Sequence, residues 1–260
     1  IHSFPTRRSS DLIANAYRDS IPMVVFTGQV PQKQMGKAAF QEVDILSITK
    51  SITKKNFLVK SIDELPTIVY EAFKVATEGR KGPVVVDIPK DIQNTLVNDD
   101  FYYKNIYEIF NEMNCVENEN LYKNIKEASL LINKCKKPII YAGGGIISSN
   151  VNEELMEFSE KIKSPVICTL MGLGSFPGDH KYFMGLGGMH GNVYSNYAIT
   201  ESDLLIAIGM RFSDRVTSKI EGFAPNAKII HIDIDEKEIG KNVNVDRSEE
   251  HTSELQSPSG

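Results

Sequence analysis

Gly209, Arg211, Asp214 and Arg215 stand close together in the string GMRFSDR. A guanidinium offers a fixed fork of donors that matches phosphate or carboxylate oxygens in pairs. The cluster reads as a holder for an anion, with a solvated polar loop as the alternative. Gly143, Gly144 and Gly145 follow Ala142. Glycines between a strand and a helix let backbone approach a phosphate, and the helix N-terminus adds a positive field. The GxGxxG pattern is missing, so a tight turn without ligand stays open. Asp233 and Asp235 close an apolar run; carboxylates there accept hydrogen bonds from ribose hydroxyls, or simply face water. His190, between Met189 and Gly191, is a base or a plain structural histidine. Arg80, just before Gly82-Pro83, either holds an anion or caps a helix C-terminus.

These residues need a scaffold, and the pattern predicts one. Leu204–Ile208 is a continuous apolar run, the mark of a strand buried on both faces. Further strands are predicted at 21–27, 56–59, 83–89, 138–142, 164–169 and 228–235, with Gly28-Gln29-Val30-Pro31 as a turn. Helices are predicted to end near 19, and over 36–43, 121–134, 152–163 and 194–200. Another opens at Ser61 with Glu64 completing a capping box. It carries a stripe of Ile62, Leu65, Val69, Phe73 and Ala76 and closes at Gly79. Residues 171–191 read as a glycine-rich passage. Strands alternating with helices predict an α/β fold with parallel sheets. In such sheets ligands bind outside the carboxyl ends of the strands. Gly143–Gly145, Thr169-Leu170, Gly209–Arg215 and Asp233 all fall at such ends, and their convergence predicts a nucleotide-like ligand. Residues 93–120 lack a period and read as a linker between two layers.

Composition narrows the class. The chain has 260 residues, is 41% hydrophobic and 24% charged, and carries a net charge of −5. That balance excludes a basic nucleic-acid binder, and no apolar run approaches membrane length. Cys115, Cys135 and Cys168 lack paired spacing and read as reduced thiols of a cytoplasmic protein. No His or Cys pair has metal-ligand spacing.

The two ends differ in texture. Residues 247–257, RSEEHTSELQS, resemble a translated short-read sequencing adapter, and residues 2–12 resemble the opposite one. Residues 1–12 and 247–260 are therefore expected to lie outside the fold, leaving a fragment of a longer protein.

Several strings between these ends resemble one family: IANAYRDSIPMVVFTGQVP, AFQEVD, GPVVVDIPKD, MGLGSFPGDH, GMHG and GMRFSDRVT. They are similar to the large catalytic subunit of acetolactate synthase, and the match covers residues 13–246. GQVP, AFQE and RFSDRV together point to the biosynthetic, FAD-containing form. Met210 and Ser213 replace the small residue and the first acid common in this motif, and Asp233 stands where some relatives have Glu; none removes a charge on which the reading relies.

The resemblance implies residues 13–92 as the end of a pyrimidine-binding α/β domain. It implies 121–246 as a truncated, parallel-sheet, Rossmann-like central domain that binds FAD. It implies FAD contacts at Arg80, Gly144, Gly145, Thr169, Leu170, Met189, His190, Gly209, Arg211, Arg215, Asp233 and Ile234. Pro31, Ala39, Lys90, Met189, Asp214 and Arg215 would line a substrate channel, with Phe40 and Gln41 nearest the chemistry. Thiamine diphosphate and Mg²⁺ would be required, their ligands falling outside this chain. The implied reaction removes CO₂ from pyruvate and joins the remaining two carbons to pyruvate or 2-oxobutanoate, in branched-chain amino-acid biosynthesis. A homodimer or homotetramer with a small regulatory subunit is implied. The chain alone is expected to be inactive. Rival readings are another thiamine-diphosphate enzyme, of glyoxylate carboligase or pyruvate oxidase type, and a non-catalytic FAD- or NAD-binding module.

Overall fold

The computed structural model describes residues 9–97 and 119–250. Cys115, most of the expected linker and the extreme ends lie outside the described residues. The chain divides into two compact units, residues 1–114 and 115–260, each an α/β layer with a parallel sheet.

The first unit runs α1 (Ser9–Asp19), β1 (Met23–Gln29), α2 (Ile45–Thr49), β2 (Lys55–Leu58), α3 (Leu65–Thr77), β3 (Pro83–Pro89) and α4 (Lys90–Gln93). Its strands pair in parallel in the order β1-β3-β2. Val84, Val85 and Val86 are fully buried in the central strand, as an apolar run flanked by two neighbours requires. Gly79 follows α3 at φ +54 and ends it.

Four local expectations fail here. Residues 61–64 form a turn, α3 starts at Leu65, and no side chain caps it. Pro66 fixes that start, because its missing N–H is harmless in the first turn. The buried face of α3 is Ala72 and Ala76 with Leu65, Ile68 and Val75, while Phe73 is 54% exposed. The helix is apolar on most sides, so periodicity alone did not choose the face. Residues 36–43 form no helix, because Gly36, Ala38 and Gln41 all have positive φ. Finally, β1 continues through Gly28 and Gln29, which pair with Ile88 and Pro89.

The second unit runs α5 (Glu119–Ile132), β4 (Pro138–Ala142), α6 (Gly144–Ser149), α7 (Asn152–Ile162), β5 (Val166–Cys168), β6 (Phe183–Leu186), α8 (Val193–Glu201), β7 (Leu204–Ile208), α9 (Asp214–Thr217), β8 (Lys228–Asp233) and β9 (Arg247–Glu250). All neighbouring strands are parallel, in the order β6-β5-β4-β7-β8-β9. Successive residues alternate between two cores, as strand geometry dictates. Ile139, Tyr141, Leu205 and Ala207 face one layer, and Ile140, Ala142, Leu204 and Ile206 the other. The chain leaves β4 toward β5 and β6, then returns to the opposite side of β4 as β7. The strand order therefore reverses between β4 and β7, the arrangement of dinucleotide-binding sheets.

Two strands here were not expected. β6 lies inside the glycine-rich passage; four residues are too few to show a period. β9 uses backbone from the end set aside as outside the fold. Residues 230–233 pair with 247–250. A strand edge offers unpaired amides and carbonyls that accept any extended segment, whatever its side chains. At the other end, α1 begins at Ser9, inside the region expected to lie apart.

Candidate functional site at the sheet reversal

The loops after β4, β5, β6, β7 and β8 are fastened to one another by backbone bonds. Thr169 N–H donates to the Ala142 carbonyl (2.9 Å), Gly187 N–H to Cys168 (3.1 Å), and Met189 N–H to Arg215 (2.8 Å). Gly143 N–H reaches the Ile208 carbonyl (2.9 Å), and Gly209 N–H the Ile232 carbonyl (2.7 Å). One continuous rim therefore gathers Gly144, Gly145, Thr169, Leu170, Met189, His190, Gly209, Arg211, Asp214, Arg215, Asp233 and Ile234.

The glycines have a packing role. A Cβ on Gly143 would lie 2.1 Å from the Gly209 carbonyl oxygen, and one on Gly145 would lie 2.5 Å from Gly209 Cα. A Cβ on Gly209, at φ +58, would meet Gly145 Cα at 2.6 Å. Gly145 N–H also donates to the Gly209 carbonyl (2.9 Å). So the turn after β4 and the end of β7 touch backbone to backbone. Gly144 faces the 170–172 turn instead, its absent Cβ 3.1 Å from Met171 Cβ. This is the close strand–helix packing that glycines serve at such crossings.

Around this crossing the side chains sort by polarity. Leu170 is 71% and Met189 52% exposed, an apolar lip with Met171 and Ile234. His190 is exposed. The Asp214 and Arg215 side chains are 3.8 Å apart and 69% or more exposed; such a pair is worth little, so the Arg215 fork stays available to another anion. Thr169 is turned inward: its hydroxyl accepts from Gly172 N–H (3.1 Å). Asp233 accepts from Asp235 N–H (2.9 Å). Buried His231 bonds the Met210 carbonyl through Nε2 (2.8 Å) and packs on Phe212, holding the stretch that carries Arg211.

Burial pushes the Asp233 carboxyl above its ordinary 3.8, partly offset by the Asp235 N–H and by His231. The folded state thus binds a proton more readily than the unfolded chain does. Asp233 lowers stability as pH rises from 3.8 through its raised value, and the penalty then persists. Asp233→Asn is expected to flatten this part of the stability–pH curve and raise stability at neutral pH. Urea unfolding at several pH values tests it, and an unchanged slope would refute the assignment.

The remaining expected residues belong to the first unit. Arg80 donates to the Ser20 hydroxyl (3.1 Å) and Tyr17 carbonyl (3.3 Å) and lies over the Tyr17 ring. It therefore caps α1, the bland alternative in a different helix from the one it follows. Pro31 and Lys90 are neighbours, because Gln32 N–H donates to the Asp91 carboxylate (3.3 Å). Ala39, Phe40 and Gln41 ride the 36–43 loop, with Phe40 89% exposed.

Glu42 closes that loop by accepting from Gly36 N–H and Ala39 N–H (2.9 Å). These donors, Gly36 foremost, hold its carboxyl below the usual 4.5. A depressed acid contributes order above its unfolded value and loses it as pH falls through the folded one. Amide exchange at Gly36 and Ala39 should accelerate on that descent, beyond the intrinsic pH trend. Glu42→Gln should remove the transition. Equal profiles in both chains would contradict it. Glu42, Gln29 and Asp87 are the contributors that pattern reading passed over. All three lie in strings that carry the family resemblance, but neither period nor spacing marked them.

Among the described residues no three His, Cys, Asp or Glu side chains gather as a metal site. None of the described helices is long and apolar enough to cross a membrane.

Residues 125–249, within the second unit, match the family described as thiamine pyrophosphate enzyme, central domain. Across about 90% of its length the chain is homologous to acetolactate synthase large subunits. It is 49% identical over 242 residues to a probable acetolactate synthase large subunit of Methanocaldococcus jannaschii, covering 90% of this chain and 39% of that protein. It is 47% identical over 230 residues to the chloroplastic acetolactate synthase of Arabidopsis thaliana, covering 88% and 34%. The acetolactate synthase large subunit of Buchnera aphidicola is 48% identical over 236 residues, covering 90% and 41%. The chain thus spans roughly two fifths or less of the curated relatives it matches.

Proposed function

We propose that this chain is part of the catalytic subunit of an acetolactate synthase, which joins two pyruvates, or pyruvate and 2-oxobutanoate, with loss of CO₂. The observation that carries this reading is the agreement of both units with relatives of that printed name, at 47% to 49% identity. Thiamine diphosphate, when bound, supplies the decarboxylation and holds the two-carbon unit. With its Mg²⁺, it would be held by parts of the protein other than the residues discussed.

The rim at the sheet reversal fits FAD. It has a backbone crossing with no room for side chains, an apolar lip, a presented guanidinium and a largely buried carboxylate. Gly144, Gly145, Thr169, Leu170, Met189, His190, Gly209, Arg211, Arg215, Asp233 and Ile234 would hold it, and Arg80 keeps its role as the cap of α1. The flavin there is structural. Ribose hydroxyls donating to Asp233 would favour its ionised form and offset the burial that raises its pKa.

In the reaction, Phe40 and Gln41 would border the reacting atoms. Pro31, Ala39, Lys90, Met189 and Asp214 would shape the approach and exclude water. Arg215 would orient the carboxylate of the second oxo acid through its bidentate fork. The assembly would be a homodimer or homotetramer with a small regulatory subunit, serving branched-chain amino-acid biosynthesis. A cytoplasmic setting suits the unpaired cysteines, although the plant relatives are named chloroplastic.

The test is expression of the full reading frame that contains residues 13–246, with product analysis from pyruvate. Acetolactate with co-purifying flavin is the expected result. Tartronate semialdehyde from glyoxylate, or acetyl phosphate, would assign another thiamine-diphosphate enzyme. Bound flavin without any carboligation would leave a nucleotide-binding module.

A further inference from the structure

Asp87 is an acid in an apolar strand, 1% exposed. A buried carboxylate is unfavourable unless its oxygens are bonded. Here both donors are neutral: the Thr27 hydroxyl to Oδ1 (2.7 Å) and the Gln29 amide to Oδ2 (3.0 Å). A valine would fill a core strand with no such requirement, so the acid needs another explanation.

Gln29 supplies it. The same Nε2 that meets Asp87 also donates to the Val43 carbonyl (2.8 Å), and Oε1 accepts from Val30 N–H (2.9 Å). One side chain thus binds both ends of the segment 30–43, which carries Pro31, Ala39, Phe40 and Gln41. An amide can face either way, and only one way serves both ends. A carboxylate accepts and never donates, so Asp87 forces the NH₂ toward itself. That leaves Oε1 for Val30 and the second amide hydrogen for Val43. Inside the closed segment, Glu42 bonds Gly36 and Ala39 N–H, and Ala38 and Gln41 hold φ +54 and +64. Conformations of that kind persist only where the surroundings over-determine them.

We infer that Asp87 is a positioning residue: it orients the Gln29 amide as a clasp that closes the 30–43 loop and so places Phe40 and Gln41. That those two border the reaction rests on the function proposed above; the clasp itself does not.

The test is hydrogen–deuterium exchange on the 260-residue chain, comparing Gln29→Glu with the double variant Gln29→Glu/Asp87→Asn. In the single variant two carboxylates face each other and Val43 loses its donor. Exchange across 30–43 should rise about tenfold or more, while the amides of 83–86 stay protected. In the double variant the amide introduced at position 87 donates to the new carboxylate, so exchange near Val30 should return to within about threefold of the parent, while the Val43 end, still without its donor, stays accelerated. A single variant that fails to fold, beside a double variant that does fold, supports the pair equally. Three results overturn the clasp: unchanged exchange in Gln29→Glu, acceleration spread evenly over β1 and β3, or no return toward the parent near Val30 when Asp87→Asn is added.

The second readout is the full-length enzyme. There the single variant should change kcat and KM for the 2-oxo acid together, and the double variant should restore both in part. If exchange behaves as stated and kinetics do not move, the clasp stands and the placement of Phe40 and Gln41 beside the chemistry falls.

Discussion

Gly209→Ala is expected to cost the second unit about 3 kcal/mol, and more if the crossing cannot shift. Two terms add. An alanine held at φ +58 carries roughly 1–2 kcal/mol of backbone strain. Its methyl would then lie 2.6 Å from Gly145 Cα, and overpacking of this kind costs about 1–3 kcal/mol. Because the obstacle is backbone on both sides, no rotamer change relieves it. Gly240→Ala separates the terms. Gly240 sits at φ +69 with no atom within 4 Å of the added carbon, so it should show the strain alone. Urea unfolding of the two variants beside the parent decides the matter. Equal losses would mean that the crossing yields and its glycines matter only for conformation. On the proposed FAD site, the Gly209 variant of a full-length enzyme should also retain little flavin.

On the function proposed above, Arg215→Lys in the full-length enzyme is expected to lower use of the second oxo acid by about ten- to a hundredfold while leaving CO₂ release from the first largely intact. The magnitude follows from losing a charge-assisted bond pair worth about 1.5–3 kcal/mol. Lysine keeps the charge but is a point donor, so geometry is lost more than attraction. Asp214→Asn is the companion: that ion pair is exposed on both sides, and removing it should shift unfolding by less than about 1 kcal/mol. Measured together, acetolactate formed and CO₂ released separate the two steps. Parallel losses in both would remove Arg215 from any selective role.

Much of the scaffold could be read directly. Leu204–Ile208, Pro138–Ala142 and Pro83–Pro89 are apolar runs, and each is a buried parallel strand with the predicted bounds. The rim followed, since carboxyl ends of strands in one sheet must share an edge. What escaped was local conformation decided by distant partners. The 36–43 loop has good helix formers, yet Glu42 and three positive φ values override them. Arg80 was legible as a cap or an anion holder, but not as a cap on α1. The Gln29–Asp87 bond joins residues 58 apart in sequence, and spacing could not find it.

The loop behind the apolar lip has one more consequence. Gly188 exchanges two hydrogen bonds with the Asn196 side chain (2.9 and 3.0 Å), and Met189 N–H is tied to Arg215. An asparagine amide here imitates a neighbouring strand, giving an irregular loop the fastening of a sheet. Met189 and its neighbours are therefore exposed but stand on an already ordered backbone. A ligand arriving there has little disorder to remove, so its ordering cost is lowered before it binds. Cutting the tether with Asn196→Ala would show as weaker holding of the ligand, with no contact between residue and ligand lost.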